Sequence, residues 1–143
     1  MSLADPITAA TVERCIHDYI AAWNARDFAA MAGFFTEPAI FVMAQGSHVL
    51  GDRGALIGFL REVFVALDLA GFDHTEIGAI SIRRCADGLV QAEVADICRY
   101  RRDGQLLETL EVQYTLRLDH DGVLRMISAL WCEPGWRSAL PLA

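Results

Sequence analysis

Apolar positions recur every three or four residues through the first half of the chain and every second residue through the second. Val12, Cys15, Ile16, Tyr19, Ile20 and Trp23 share one side of a helix whose other side carries Glu13, Arg14, His17 and Asp18. Asp5-Pro6 offers an N-cap and a first-turn proline, and the pattern predicts an end near Arg26. Asp27 can cap a second, short helix through Phe28, Met31 and Phe34. Pro38 then stops helical geometry, Ile40-Phe41-Val42-Met43 reads as a buried strand, and Gln45 to Leu50 reads as a polar loop. A third helix is predicted from Asp52 to Asp68, with Leu56, Phe59, Leu60, Val63, Phe64 and Leu67 on its apolar face and Gly71 closing it.

From residue 73 to 134 the period is two. Ala86-Asp87-Gly88, Arg102-Asp103-Gly104 and Asp121-Gly122 separate three or four strands, each a hairpin signal between apolar runs. Helices first and an antiparallel meander afterwards predict an α+β fold. A curved antiparallel sheet wraps around three N-terminal helices in one domain over residues 1–143.

Strand faces follow from register. Leu110, Val112, Tyr114, Leu116 and Leu118 alternate with polar residues and are assigned to the core. The Asp121-Gly122 hairpin pairs Tyr114 with Ala129 and Val112 with Trp131, which turns Ile127, Ala129 and Trp131 inward. Leu124, Met126 and Leu130 then form an apolar strip on the outer face, which implies a homodimer through that face. A three-residue turn with Gly104 in a bulge keeps even numbers facing even numbers across the preceding hairpin. Val90, Ala92, Val94, Asp96, Cys98 and Tyr100 are therefore expected inside, and Ile97 and Arg99 outside.

Asp96 is the residue that does not suit a simple core. A carboxylate on a buried face must be paired, hydrogen-bonded or neutral. It could act as a general acid or base, with Tyr19 donating a hydrogen bond to a substrate oxygen and Tyr114 as a second donor. It could equally accept bonds from Tyr19, Tyr114 or Trp131, or pair with Arg125, and only specify the core. Trp23, Met43, Phe59, Cys98, Tyr114 and Trp131 are the candidate ligand-binding residues.

Composition narrows the chemistry. The 143 residues are 54% hydrophobic and carry a formal charge of −7, which gives no electrostatic footprint for nucleic acid or an anionic membrane surface. All 12 basic residues are Arg, so Schiff-base chemistry and a Walker phosphate loop are excluded. No apolar stretch is long enough to cross a bilayer, and Met1 to Ile7 lacks the marks of a signal peptide. Cys15, Cys85, Cys98 and Cys132 are widely spaced within apolar segments, as reduced packing residues of a cytoplasmic protein are. His17, His48, His74 and His120 have no metal-ligand spacing, and no nucleophile or dinucleotide motif is present, so neither metal nor cofactor is expected.

Three phrases carry a resemblance. They are Tyr19-Ile20-Ala21-Ala22-Trp23-Asn24-Ala25-Arg26-Asp27, Gly51-Asp52-Arg53-Gly54-Ala55-Leu56, and Arg117-Leu118-Asp119-His120-Asp121-Gly122 with Ala129-Leu130-Trp131 behind it. In these the chain resembles, from about Thr8 to Trp136, the nuclear transport factor 2-like superfamily. That superfamily includes ketosteroid isomerase, SnoaL-like polyketide cyclases, scytalone dehydratase and limonene-epoxide hydrolase. The resemblance implies a cone-shaped, cystatin-like α+β roll closed around an internal pocket, with Tyr19 at the oxyanion-hole position of ketosteroid isomerase and Trp131 facing the pocket. The carboxylate positions of that enzyme are held here by Val42 or Met43 and by Tyr114. The implied function is binding of a small apolar or polycyclic metabolite, with isomerase, lyase or cyclase activity through Asp96 and Tyr19, or else a non-catalytic binding or dimerisation module.

Overall fold

The computed structural model describes residues 7–134. Three helices, α1 (Ala9–Asn24), α2 (Phe28–Gly33) and α3 (Arg53–Leu69), pack against a curved seven-stranded sheet. Its strands are β1 (Phe35–Met43), β2 (Gly46–Leu50), β3 (Phe72–Glu76), β4 (Ile80–Ala86), β5 (Leu89–Arg101), β6 (Leu106–Leu118) and β7 (Leu124–Cys132). The spatial order is β2-β1-β7-β6-β5-β3, with β4 also pairing β5. The α+β class and the wrapped sheet are as the sequence predicts.

Local chemistry accounts for the helix ends. Thr8 caps α1 by accepting from Thr11 N, while the Asp5-Pro6 start lies outside the described residues. Asp27 and Asp52 cap α2 and α3 through Ala30 N and Ala55 N. The segment read as a polar loop after Gln45 is in fact β2, whose Gly46 to Leu50 pair with Met43 to Ala39. The sheet is also not purely antiparallel, because β1 runs parallel to β7.

The Asn24-Ala25-Arg26-Asp27 phrase is a structural joint. Asn24 bonds both backbone groups of Thr75 at 2.9 and 2.8 Å, and Arg26 bonds Asp68 at 2.7 Å and Phe72 O at 3.2 Å. Together they fasten the end of α1 to α3 and β3.

Two bulges alter the predicted faces. In β5, Ala95 and Asp96 stand opposite the single residue Glu111, between the pairs Val94↔Val112 and Ile97↔Leu110. Asp96 has φ +52° and is exposed. The extra residue reverses the alternation, so Ile97 and Arg99 are buried, while Cys98 and Tyr100 are only half-buried. Gly78 makes room for this bulge: its N–H bonds Ala95 O at 3.1 Å, and a Cβ there would lie 2.8 Å from Asp96 Cβ. In β7 a register shift between Met126 and Ser128 leaves Met126 fully buried and Ile127 half-buried. The expected outer strip therefore loses Met126 to the core, and Leu124 packs against the core as well.

Candidate functional site

The core is dense at the α3, β1 and β2 end. Phe41 packs on Phe35 and Phe59, with ring centroids 5.1 and 4.9 Å apart, and His48 covers Phe59 from outside at 4.8 Å. Phe59 and Met43 belong to this packed region and its edge, and neither reaches the candidate cavity assigned to them.

At the other end, between α1 and strands β3, β5, β6 and β7, Tyr19, Trp23, Thr75, Arg99, Tyr114 and Trp131 line a cavity with Ile20, Ile97, Leu110 and Val112. Each is delivered by local structure. Tyr19 and Trp23 are one helical turn apart on the buried side of α1. Tyr114 stands in a row between Ala92 and Ala129, whose small side chains leave its ring space. Thr75 and Arg99 are cross-strand partners, and Arg99 pairs on its other side with Glu108.

Arg99 is the one buried charged side chain among the described residues, 7% exposed. Its guanidinium carbon lies 5.4 Å from the Trp23 ring centroid and 5.0 Å from that of Trp131, a cation between two aromatic faces. Nη1 donates to Glu108 Oε1 at 2.6 Å, and that carboxylate is 47% exposed. Arg99 Nε, Trp23 Nε1 and Thr75 Oγ1 are all buried without a hydrogen-bond partner. Such groups cost about 1–3 kcal/mol each when left unpaired. Three of the four orphaned side-chain atoms among the described residues thus belong to residues of one cavity.

The two tyrosine rings meet edge to face at 6.3 Å. Burial first, then the neighbouring Tyr114, holds the Tyr19 hydroxyl far above its ordinary value, although Arg99 pulls the other way. Burial raises Tyr114 likewise, against the same opposing effect of Arg99. Both remain neutral hydroxyls that can donate to an oxygen. The cavity holds about 20 Å³, room for one water-sized group; a whole polycyclic ring system does not fit inside it.

Of the residues assigned to the site from sequence, Tyr19, Trp23, Tyr114 and Trp131 come together here. Asp96 does not, because the bulge turns it to solvent. Cys98 is displaced by the same reversal and lies opposite Glu76 on the other side of β5. The alternative partner Arg125 instead bonds Asp119 and Asp121 at 3.1 and 2.7 Å. Arg99 and Thr75 were missed. Their signal was present in the chain as Gly78, which the bulge needs, and as Asp96, one of the residue types that tolerate positive φ. Cys15 is buried and its thiol is pushed up to about 11, chiefly by burial, whereas Cys85 is exposed and is no packing residue.

A family model described as an NTF2-like protein (DUF6841) matches residues 9–134. The chain belongs to this NTF2-like family. Every residue of the cavity lies within the matched span. Among solved structures, this NTF2-like chain is similar to Aln2 from a Streptomyces species, at 24% identity over 92% of this chain and 94% of that one, with TM-score 0.73. It is similar also to ActVI-ORFA from Streptomyces coelicolor, at 19% identity, 85% and 93% coverage and TM-score 0.70. A protein from Catenulispora acidiphila, solved in complex with S-DNPA, matches at 21% identity, 85% and 90% coverage and TM-score 0.66. These likenesses establish the fold. No curated protein matches the chain. Among the described residues no helix is long and apolar enough to cross a membrane.

Proposed function

We propose that this NTF2-like domain binds a small, largely apolar molecule whose oxygen atom enters the cavity between α1 and the sheet. On this reading it acts as an isomerase, lyase or cyclase by stabilising negative charge that develops on that oxygen. The observation that carries the proposal is the set of buried donors without partners, Arg99 Nε and Trp23 Nε1, beside two neutral tyrosine hydroxyls. Donors fixed before the ligand arrives need no reorganisation when charge appears, which is how oxyanion sites lower barriers. Tyr19 keeps the donor role expected of it. Glu108, paired with the cavity residue Arg99, takes the base role expected of Asp96. The neighbour solved in complex with S-DNPA adds support by likeness of fold.

A binding module without turnover is the second reading. It is favoured by one observation: among the described residues no Asp or Glu lines the cavity. Proton exchange separates the two. The ketone 2-tetralone in deuterated buffer should gain deuterium beside its carbonyl faster with the protein than without it, and Tyr19→Phe and Glu108→Gln should each slow this. Binding of the ketone without faster exchange would leave the module reading standing.

Pairing of two copies through the outer sheet face is a separate proposal. Its apolar strip is smaller than expected, but Glu111, opposite the bulge on that face, keeps a buried Oε2 without a partner. Sedimentation at micromolar concentration tests it, and a monomer there would refute it.

A further inference from the structure

Resting on that reading, we infer that the ligand of this cavity is an anion, a carboxylate or an acidic enol or phenol, which pairs with Arg99 in competition with Glu108. Every polar side chain that the described residues contribute to the lining is a donor or a hydroxyl, and none of these is an anion. Within a chain of formal charge −7, this is a buried cation kept apart from the surface carboxylates. A guanidinium binds carboxylate best through two parallel N–H donors. Arg99 uses Nη1 on Glu108, while Nε is buried and unpaired and its neighbour Nη2 has no acceptor among the described residues, so the Nε–Nη2 edge stands open.

Glu108 is a weak competitor for that guanidinium. It is nearly half exposed, at the end of β6 beside the Leu106↔Tyr100 pair, and water competes for it. An anion that reaches into the cavity with an oxygen would meet the guanidinium in a drier setting, where the attraction is stronger. It could also accept from Trp23 Nε1 and Thr75 Oγ1, the other two orphans. Asn24, with two bonds to the Thr75 backbone, fixes where that hydroxyl stands. A neutral amide or ketone of the same shape accepts these bonds but gives Arg99 no counter-charge.

The test is calorimetric titration of the whole chain with benzoate and with benzamide, near-isosteres that differ in charge. The expected result is benzoate binding roughly tenfold or more tighter than benzamide, the difference one charged hydrogen bond makes. Glu108→Gln should tighten benzoate several-fold, because the competing carboxylate is gone, and should raise the ratio of benzoate to benzamide affinity. Arg99→Met should abolish the preference, with its fold checked by circular dichroism. Equal affinity for the two probes in the wild type would overturn the anion inference while leaving the pocket reading in place. Weaker benzoate binding by Glu108→Gln would overturn the competition with Glu108. Binding of neither probe would overturn the pocket reading and this inference with it.

Discussion

Between Val90 and Val94 the even-numbered residues of β5 point into the core; beyond Asp96 it is Ile97 and Arg99 that do so. The first half is ordinary packing, with Val90, Ala92 and Val94 closing against β6. The second half carries the buried cation. One inserted residue at Ala95-Asp96 separates them, and it decides which charged side chain the cavity receives. Without it, strict alternation would bring in the carboxylate of Asp96 and leave Arg99 in solvent. The lesson is that a bulge selects the sign of a site as well as bending a strand.

The largest break in this comparison should come from truncating the first inward residue after the bulge. Ile97→Ala is expected to cost about 2–4 kcal/mol of unfolding free energy in urea. If alternation ran unbroken, Ile97 would face outward and the loss would stay within about 0.5 kcal/mol. Gly78→Ala comes next, at about 2 kcal/mol, because its Cβ would press on Asp96 Cβ and Ala95 O while the bulge holds its shape. Loss of benzoate preference in the same variant would show that the bulge sets the site.

Arg99→Met should change stability by no more than about 1 kcal/mol. It replaces a buried charge with an apolar chain of similar length and leaves Glu108 solvated. A loss of several kcal/mol would mean that the ion pair, rather than a ligand, is what Arg99 serves. Asp96→Asn keeps a residue type that tolerates positive φ, so stability should move by less than about 0.5 kcal/mol and ligand affinity should stay the same.

The smallest effect is at the β3 edge beside the second half of β5. His74 stacks on Tyr100 at 5.2 Å and is bonded by Glu76 and Asp73, which raise it above its ordinary value, Glu76 most. A raised folded value means that its stabilisation is present below the ordinary histidine range and is lost as pH rises through the folded value. Proton NMR titration should find His74 above ~6.5 and Glu76→Gln should lower it. The ring is exposed, so the change in overall stability should be slight.

Much of this molecule was legible beforehand because its signals are local. Asp27, Asp52 and Gly71 mark helix ends, and the three-residue turn at Gly104 closes with Arg101 N bonded to Gln105 O. Tyr114↔Ala129 and Val112↔Trp131 are the expected pairs, but the turn is not the two-residue one expected: Asp119 N bonds Val123 O and Leu118 pairs with Leu124, and the extra residue Ile127 brings the register back. What could not be read depends on contacts between distant segments. The β5 bulge is stabilised from Gly78 in the connection between β3 and β4, and Thr75 is oriented by Asn24 from α1. Period-two reasoning has no way to register a one-residue insertion inside a strand, so Asp96 and Cys98 were placed in the cavity that Ile97 and Arg99 occupy. Met43 and Phe59 were misplaced for a different reason: apolar residues of the solid end and of the cavity end look alike in sequence.

The most direct measurement is the solvent exchange of the Arg99 Nε–H proton by nitrogen-edited NMR, assigned with Arg99→Met, before and after benzoate is added. The structure buries this proton beside Trp23 and Trp131, so it should exchange far more slowly than those of exposed arginines such as Arg101, and its resonance should move when benzoate binds while Asp96 stays unaffected. Exchange at the rate of a solvated arginine, or a benzoate response at Asp96 with none at Arg99, would contradict the claim that the bulge delivers a buried cation to this cavity.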